Sequence, residues 1–390
     1  MQPFSQQAQY SCTLTSEDFE MKKYIHNFII TSLIGLSIVP VINIYNDFTG
    51  PKNINKNGIT WLHHSNLFSM DFALPLLGYA YYKNGASISP ENTIVGKDGW
   101  LFLGDRHAYV MSESRGMKPF NQDRLDRFAE ARAKWDGFVK SQGGLGYFVS
   151  IAPNSHTIYR EMMPDWAFKS KASPNVEYLL LQSKKDRTLA DLSSSIKRYK
   201  NSSHEPLYYK TDTHWNEFGA WYGYQDLQRK ISETLPSLHW LGPDDIHLSF
   251  SEKLGGDLSR FLHITPYVKD TEVSVRIKRE SELEITDFEG HHIRNGDLSD
   301  RQENMEKQLI VHSSNALNDK KVLWLRDSFG VALYPYMNAT FSTIIQRHYQ
   351  EVLSDPKNME KLIKEFKPDL VIITTIERNS VSGYFGNTPN

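Results

Sequence analysis

Three short apolar runs constrain this chain most: Gly146–Ile151 (GYFVSI), Val322–Leu325 (VLWL) and the run closing Pro368–Ile373 (PDLVII). Each is short and followed by polar or turn residues, as Ile151 is by Ala152-Pro153-Asn154, so each reads as a buried strand. Ahead of the first, Leu125, Phe128, Trp135, Phe138 and Val139 recur at helical spacing with charges between them, and the pattern stops at Gly143-Gly144. A second helix is expected from Glu217 to about Leu235. A helix followed by a strand and a polar loop is the unit of a doubly wound sheet. The expected fold class is therefore α/β, a three-layer domain with a mostly parallel sheet and its site at the strand ends. Gly96–Leu103 reads as a turn, with Lys97-Asp98-Gly99, and then a strand. Val273, Val275 and Ile277, then Leu283 and Ile285, alternate with polar residues. They predict a half-exposed, two-stranded excursion at about 270–308, with Asp287–Gln308 as surface loop.

Composition narrows the classes. With 44 basic and 46 acidic residues the net charge is −2, which supplies no field for nucleic acid. The 23% of charged and 12% of aromatic residues exclude a disordered chain. The one cysteine, Cys12, excludes a disulfide framework and a four-cysteine zinc site. One segment departs from this polar average. Ile25–Tyr45 holds no Asp, Glu, Lys or Arg, and about 20 helical residues span the ~30 Å hydrocarbon core of a bilayer. Lys22 and Lys23 precede it and mark a cytoplasmic end. Ile42-Asn43-Ile44-Tyr45 is too bulky for a signal-peptidase site, so an uncleaved signal anchor is preferred to a removed signal peptide or a buried core helix. The expected organisation is residues 1–23 as a cytoplasmic tail or an upstream-start artefact, since Met21-Lys22-Lys23 makes an ordinary start. Residues 24–45 are the anchor, 46–84 a connector and 85–390 one α/β domain. The expected place is the periplasmic side of the inner membrane, where the cysteine-free exported part needs no oxidising compartment.

A serine becomes a nucleophile only beside a general base held by a third group. Asp212 and His214 are one residue apart, and in an extended segment such residues point to the same side. Ser328 follows an apolar strand at an Asp-Ser-Phe-Gly turn, which exposes its hydroxyl at the sheet edge. The backbone N–H groups of Phe329 and Gly330 would then face a developing oxyanion, with Arg326 alongside. Each half alone is a common chance pattern, and a strand-ending Asp-Ser is often only a cap. Asp327 is a rival third member, although a residue adjacent to the nucleophile more often fixes the turn. Arg326 has an ordinary reading as a structural ion-pair partner. His63-His64 and His291-His292 lack carboxylates at usable helical spacing, so no metal is expected.

Gly-Lys-Asp-Gly-Trp-Leu-Phe at 96–102, Thr-Asp-Thr-His-Trp-Asn at 211–216 and Arg-Asp-Ser-Phe-Gly at 326–330 together resemble the alginate O-acetylation proteins of the AlgJ/AlgX type, an SGNH-hydrolase-like family. The likeness in order and spacing covers roughly residues 85–380. It implies an SGNH-like domain with Asp212, His214 and Ser328 as a triad, the Asp-His pair preceding the serine. It also implies work outside the cytoplasmic membrane on an exopolysaccharide, with a membrane-bound O-acyltransferase delivering acetyl groups. Two departures stand out. Arg326 occupies a position where many relatives have glycine, and the family's oxyanion asparagine block is not recognisable. Asn154 is the nearest candidate, with a loop cap as its alternative. The anchor and the length point to the AlgJ-like branch, without the extra carbohydrate-binding domain of the AlgX-like branch. The expectation is an anchored O-acetyltransferase working through an acetyl-serine, with no cofactor. Its expected partners are a polysaccharide acceptor, the acyltransferase as donor and the membrane, and no nucleic acid. The rivals are a polysaccharide acetyl-esterase with the same triad and a non-catalytic polysaccharide-binding scaffold of secretion.

Overall fold

The computed structural model describes residues 16–49, 67–168, 173–202, 205–298 and 309–390. The expectations for Cys12, His63, His64 and residues 50–66 of the connector fall outside the described residues. The chain divides into two compact units, Met1–Leu77 and Gly78–Asn390.

In the first unit a helix runs Ser16–Thr49. Its Met21–Tyr45 stretch, with a mean hydropathy of 2.0, is long and apolar enough to cross a membrane, and none of it is buried. Polar side chains inside it turn back on the backbone. Thr31 donates to the Asn27 carbonyl at 2.8 Å and Ser37 to that of Leu33 at 2.9 Å, the arrangement a low-dielectric surrounding demands.

The second unit is built on an eight-stranded sheet. Its strands are β3 (Gly146–Ala152), β4 (Leu189–Asp191), β7 (Glu282–Thr286), β8 (His292–Asp297), β9 (Leu309–Ser313), β10 (Asn318–Arg326), β11 (Phe341–His348) and β12 (Leu370–Ile376). A short antiparallel pair, β1 (Thr93–Val95) with β2 (Leu101–Leu103), and a longer one, β5 (Ile246–Leu254) with β6 (Lys269–Ile277), stand apart from it. The order in the large sheet is β4-β3-β12-β10-β11-β9-β7-β8.

Alternation along the strands makes the three layers. Successive residues face opposite sides. Phe148, Val322, Trp324, Leu370 and Ile372 pack with Phe218, Trp221 and Tyr224 of the helix Glu217–Ser232. Tyr147, Val149, Leu323, Leu325, Val371 and Ile373 pack on the other face. There they meet Leu125, Phe128, Trp135 and Val139 of the helix Gln122–Ser141, with Met359, Ile363 and Phe366 of the helix Pro356–Phe366. Both the first and the Glu217 helix start on an asparagine cap: Asn121 accepts the Arg124 N–H and Asn216 the Gly219 N–H.

Two expectations are corrected here. The sheet is mixed: β4, β3, β12, β10 and β11 are parallel, whereas β11–β9, β9–β7 and β7–β8 pair antiparallel. The turn Asp287–His291, with Gly290 at φ 88°, is far too short for the crossover that a parallel β7–β8 pair needs. The excursion also differs from the reading. β6 pairs with β5 along its whole length, and β7 enters the main sheet between β9 and β8. Alternation shows that a segment is a strand but not which strand it joins. Within the expected loop, His292–Asp297 is the edge strand β8, whose run of exposed polar residues carries no alternation; residues 299–308 lie outside the described residues.

Because Ile285 on β7 is fully buried while Ile293 on β8 is 49% exposed, their truncations should separate. Ile285→Ala is expected to cost roughly 2–5 kcal/mol in denaturant unfolding, and Ile293→Ala less than about 0.5 kcal/mol. Equal effects would remove β7 from the core.

Candidate active site

The site lies where β3, β12 and β10, neighbours in the parallel half, end together. β10 stops at Arg326, opposite Thr374 on β12. The chain then turns over the carboxylate of Asp327, which accepts the Phe329 N–H at 3.0 Å and the Ile376 N–H at 2.8 Å. The Gly330 N–H goes to the Asp327 carbonyl at 3.1 Å. A 3-10 helix begins at Ser328, so the Ser328 N–H is left without an acceptor within that helix. A Cβ on Gly330 would sit 2.2 Å from Cδ of Arg326, so only glycine lets the arginine fold beneath the turn. Arg326 is fully buried, donating from Nε to Gln346 Oε1 at 2.8 Å and from a terminal nitrogen to the Asp327 carbonyl at 3.2 Å. Burial lowers its pKa to about 10, so it remains a cation at neutral pH.

These facts correct the expected oxyanion donors. The N–H groups of Phe329 and Gly330 are both engaged by Asp327, and Arg326 supports the turn from behind. Asp327 itself ties the serine turn to β12.

Asp212 and His214 come from a tight reversal between Tyr208 and Trp215, which pair as an isolated bridge. The segment is bent rather than extended: the His214 N–H donates to Asp212 Oδ1 at 3.1 Å, an Asx turn. The turn still puts both side chains together. His214 Nδ1 lies 2.7 Å from Asp212 Oδ1, and His214 Nε2 lies 2.9 Å from Ser328 Oγ. With a carboxylate on Nδ1, that nitrogen carries the proton, and Nε2 is the acceptor facing the serine hydroxyl. The Trp215 indole N–H donates to the Phe329 carbonyl at 3.0 Å, joining the two segments directly.

Sequence reading missed Asp257. Its N–H donates to Asp212 Oδ2 at 3.0 Å, and its carboxylate accepts from the Thr213 N–H at 2.8 Å and hydroxyl at 2.6 Å. Its Oδ2 lies 3.9 Å from His214 Nδ1. Gly256 makes this approach possible, since a Cβ there would be 2.5 Å from Asp212. Gly255-Gly256 was the only signal, and it marks a turn rather than a partner. Asp212, His214 and Asp257 also offer converging ligand atoms, but the contacts just described already link them to one another and to Thr213. On the surface, His291 meets Asp287 at 2.8 Å; a β-turn supplies the carboxylate that helical spacing did not.

Asn154 caps the short helix Ser155–Ile158 in sequence only, since its side chain makes no capping bond. It is buried. Its N–H donates to Glu377 Oε2 at 3.2 Å, and its Oδ1 accepts from Arg378 at 3.0 Å. Glu377 and Arg378, directly after β12, were not singled out from the sequence.

Burial alone would raise the Asp212 pKa, but the His214 hydrogen bond and charge, with the N–H groups of Asp257 and His214, outweigh it and hold the carboxyl at about 2. Burial pulls His214 down, whereas Asp212, by hydrogen bond and charge, and Asp257 raise it further; the net shift is upward. Asp257 is raised by burial and by the charge of Asp212.

A three-layer α/β domain with an acid–histidine–serine line at the parallel strand ends is the arrangement of a serine hydrolase-like domain. The family model described as the SGNH hydrolase-like domain of acetyltransferase AlgX matches residues 93–318, more than half of the chain. The chain belongs to that family. The match stops short of Ser328. Bacillus cereus PatB1 with a sulfonyl adduct is similar at 16% identity and TM-score 0.54, over 76% of this chain and 98% of that one. A DHHW family protein from Eubacterium siraeum is similar at 17% identity and TM-score 0.50, over 68% and 90%. The O-acetyltransferase domain of Pseudomonas putida AlgJ aligns at 16% identity and TM-score 0.45, over 75% and 92%. At such identities PatB1 and the DHHW family protein speak for the fold alone. No curated protein matches the chain.

The electrostatics set a measurable sign. Asp212 stabilises the imidazolium, so the His214 ring is expected to titrate above the ordinary 6.5 when followed by NMR. Asp212→Asn removes that attraction and leaves the burial penalty, so the inflection should fall. An unchanged inflection would dissociate Asp212 from the ring.

Proposed function

We propose that this chain is a membrane-anchored, extracytoplasmic O-acetyltransferase that acetylates hydroxyls of a polysaccharide through an acetyl-Ser328 intermediate. The observation that carries the reading is the unbroken line Asp212 Oδ1–His214 Nδ1 at 2.7 Å and His214 Nε2–Ser328 Oγ at 2.9 Å. Membership of an acetyltransferase family supports the group transferred, and the apolar helix supports the anchor.

The chemistry follows from the line. Ser328 Oγ attacks the acetyl carbonyl of the donor as its proton passes to His214 Nε2. Asp212 stabilises the imidazolium that forms. The negative oxygen of the tetrahedral intermediate is met by the Ser328 N–H and the side-chain amide of Asn154. Collapse breaks the bond to the donor oxygen, which takes the proton from His214 and leaves. A sugar hydroxyl then attacks the acetyl-serine, giving its proton to Nε2. The second collapse forms the sugar ester and returns that proton to Ser328 Oγ. A membrane-bound O-acyltransferase is the proposed supplier of acetyl groups, and the chain's own residues require no cofactor for these steps.

Hydrolysis competes in one respect: the His214–Ser328 contact is solvent-exposed, so water can also reach the acetyl-enzyme. Full-length chain in detergent, given an activated acetyl ester with and without oligosaccharide, separates the two outcomes by acetylated product against free acetate. Acetate release unaffected by every polysaccharide acceptor offered would replace transfer by esterase activity.

Ser328→Ala and His214→Ala should each lower turnover by about 10,000-fold or more while leaving the fold intact, and the double variant should be little worse than either. Asp212→Asn should retain more activity than either. Mass spectrometry should find the acetyl group on Ser328. Normal acetylation by Ser328→Ala would leave the scaffold reading in place.

A further inference from the structure

The end of β12 holds Asn154 at two points. The Glu377 carboxylate accepts its backbone N–H at 3.2 Å and the Thr157 hydroxyl at 2.6 Å, and the Arg378 guanidinium donates to its Oδ1 at 3.0 Å. A primary amide has one acceptor end and one donor end, and its orientation is read from the hydrogen bonds around it. With Oδ1 taken by a cation, the NH2 end must point away from Arg378. Among the described residues that NH2 group has no acceptor, and it is not enclosed in the protein.

The register says where the amide points from. Ala152 pairs with Ile376 and Arg326 with Thr374, so Asn154, Arg378 and Ser328 leave the same edge of three adjacent parallel strands. Arg378 stands 5.6 Å from the ring centre of Phe329, the residue after the serine. It is half-buried, and among the described residues its one hydrogen bond is to Asn154 and it forms no ion pair. The charges of Asp327, Asp257 and Glu377 favour the guanidinium as a cation, and the Asn154 amide is the group it holds.

We infer that Arg378 is a positioning residue of the oxyanion site, locking Asn154 so that its NH2 group faces the negative oxygen formed when Ser328 attacks the acetyl carbonyl. This rests on the acetyl-serine reading above. Arg378 takes no proton and forms no bond to substrate; it acts through the amide.

The test is the rate of acetyl-enzyme formation, read as the p-nitrophenolate burst from p-nitrophenyl acetate with full-length chain in detergent. Asn154→Ala should slow the burst by about 100-fold or more, the usual effect of losing one oxyanion donor. Arg378→Met should slow it by about 10- to 100-fold with little change in KM. Arg378→Lys, which can still donate to Oδ1, should recover most of the rate. The double variant Asn154→Ala with Arg378→Met should be no slower than Asn154→Ala alone, because the arginine has nothing left to hold. If Arg378→Met does not fold, Asn154→Asp decides: it keeps a partner for the arginine and removes the donor, and should be as slow as Asn154→Ala. A wild-type burst in Arg378→Met or in Asn154→Asp, or losses that multiply in the double variant, would overturn the inference. A burst that survives Ser328→Ala is a separate result, because it defeats the acetyl-serine reading itself.

Discussion

The indole of Trp215 donates to the carbonyl of Phe329, and through that bond two segments distant in sequence are held in register. One neighbour of Trp215 is the general base and one neighbour of Phe329 is the nucleophile. A shift of either segment by an ångström would open the 2.9 Å contact between His214 and Ser328, and proton transfer tolerates little such displacement. The bond is buried, so losing it would leave an indole N–H and a carbonyl without partners as well as moving the site. The helix Glu217–Ser232 makes room for the ring. A Cβ on Gly223 would lie 2.8 Å from the Trp215 ring, and one on Gly219 would lie 2.1 Å from the Leu207 carbonyl. Helix-weakening glycines are kept here because the backbone must come close.

Behind this contact stands a chain of carboxylates. Asp212 orients His214; Asp257 fixes Asp212 and Thr213; Asp270, at the start of β6, accepts both the N–H and the hydroxyl of Thr211 at 2.7 Å. The Thr211 hydroxyl in turn accepts the Gly256 N–H at 2.9 Å. Each acceptor is satisfied by donors from the next segment, so the histidine's surroundings are set by hydrogen bonds to charged groups, the stronger kind. The β5–β6 ribbon, which looks peripheral by its exposure, thus supports the reacting groups through Asp270. Raising His214 above its free pKa keeps more of it protonated at neutral pH, and the same field stabilises the imidazolium formed during attack.

Much of this could be read from residues alone. The apolar runs of β3, β10 and β12 are short, continuous and followed by polar turns, and such runs remain strands wherever they are placed. The spacing of Leu125, Phe128, Trp135 and Val139 specifies a helical face before any partner is known. Asp212, His214 and Ser328 were legible because the phrases that hold them together resemble a known family's; each half alone is a common chance pattern. The Asx turn replaced the expected extended segment without changing which side chains meet.

What escaped the reading is what depends on partners far along the chain. β6 and β7 carry the same alternation, yet one pairs with β5 and the other enters the main sheet, because pairing is decided by which apolar faces can be covered at once. Asp257, Glu377 and Arg378 are ordinary charged residues in sequence, and they acquire meaning only beside Asp212 and Asn154. Phe329 and Gly330 looked like oxyanion donors until Asp327 engaged both N–H groups. The sequence by itself determined the layered α/β class and the membrane-length apolar segment, since local periodicity suffices for these, and it offered Asp212, His214 and Ser328 through phrases that resemble a known family. Only the tertiary structure decided the strand partners, the second carboxylate and the hold on Asn154, because hydrogen bonds between distant segments exist only once the sheet has brought their ends together.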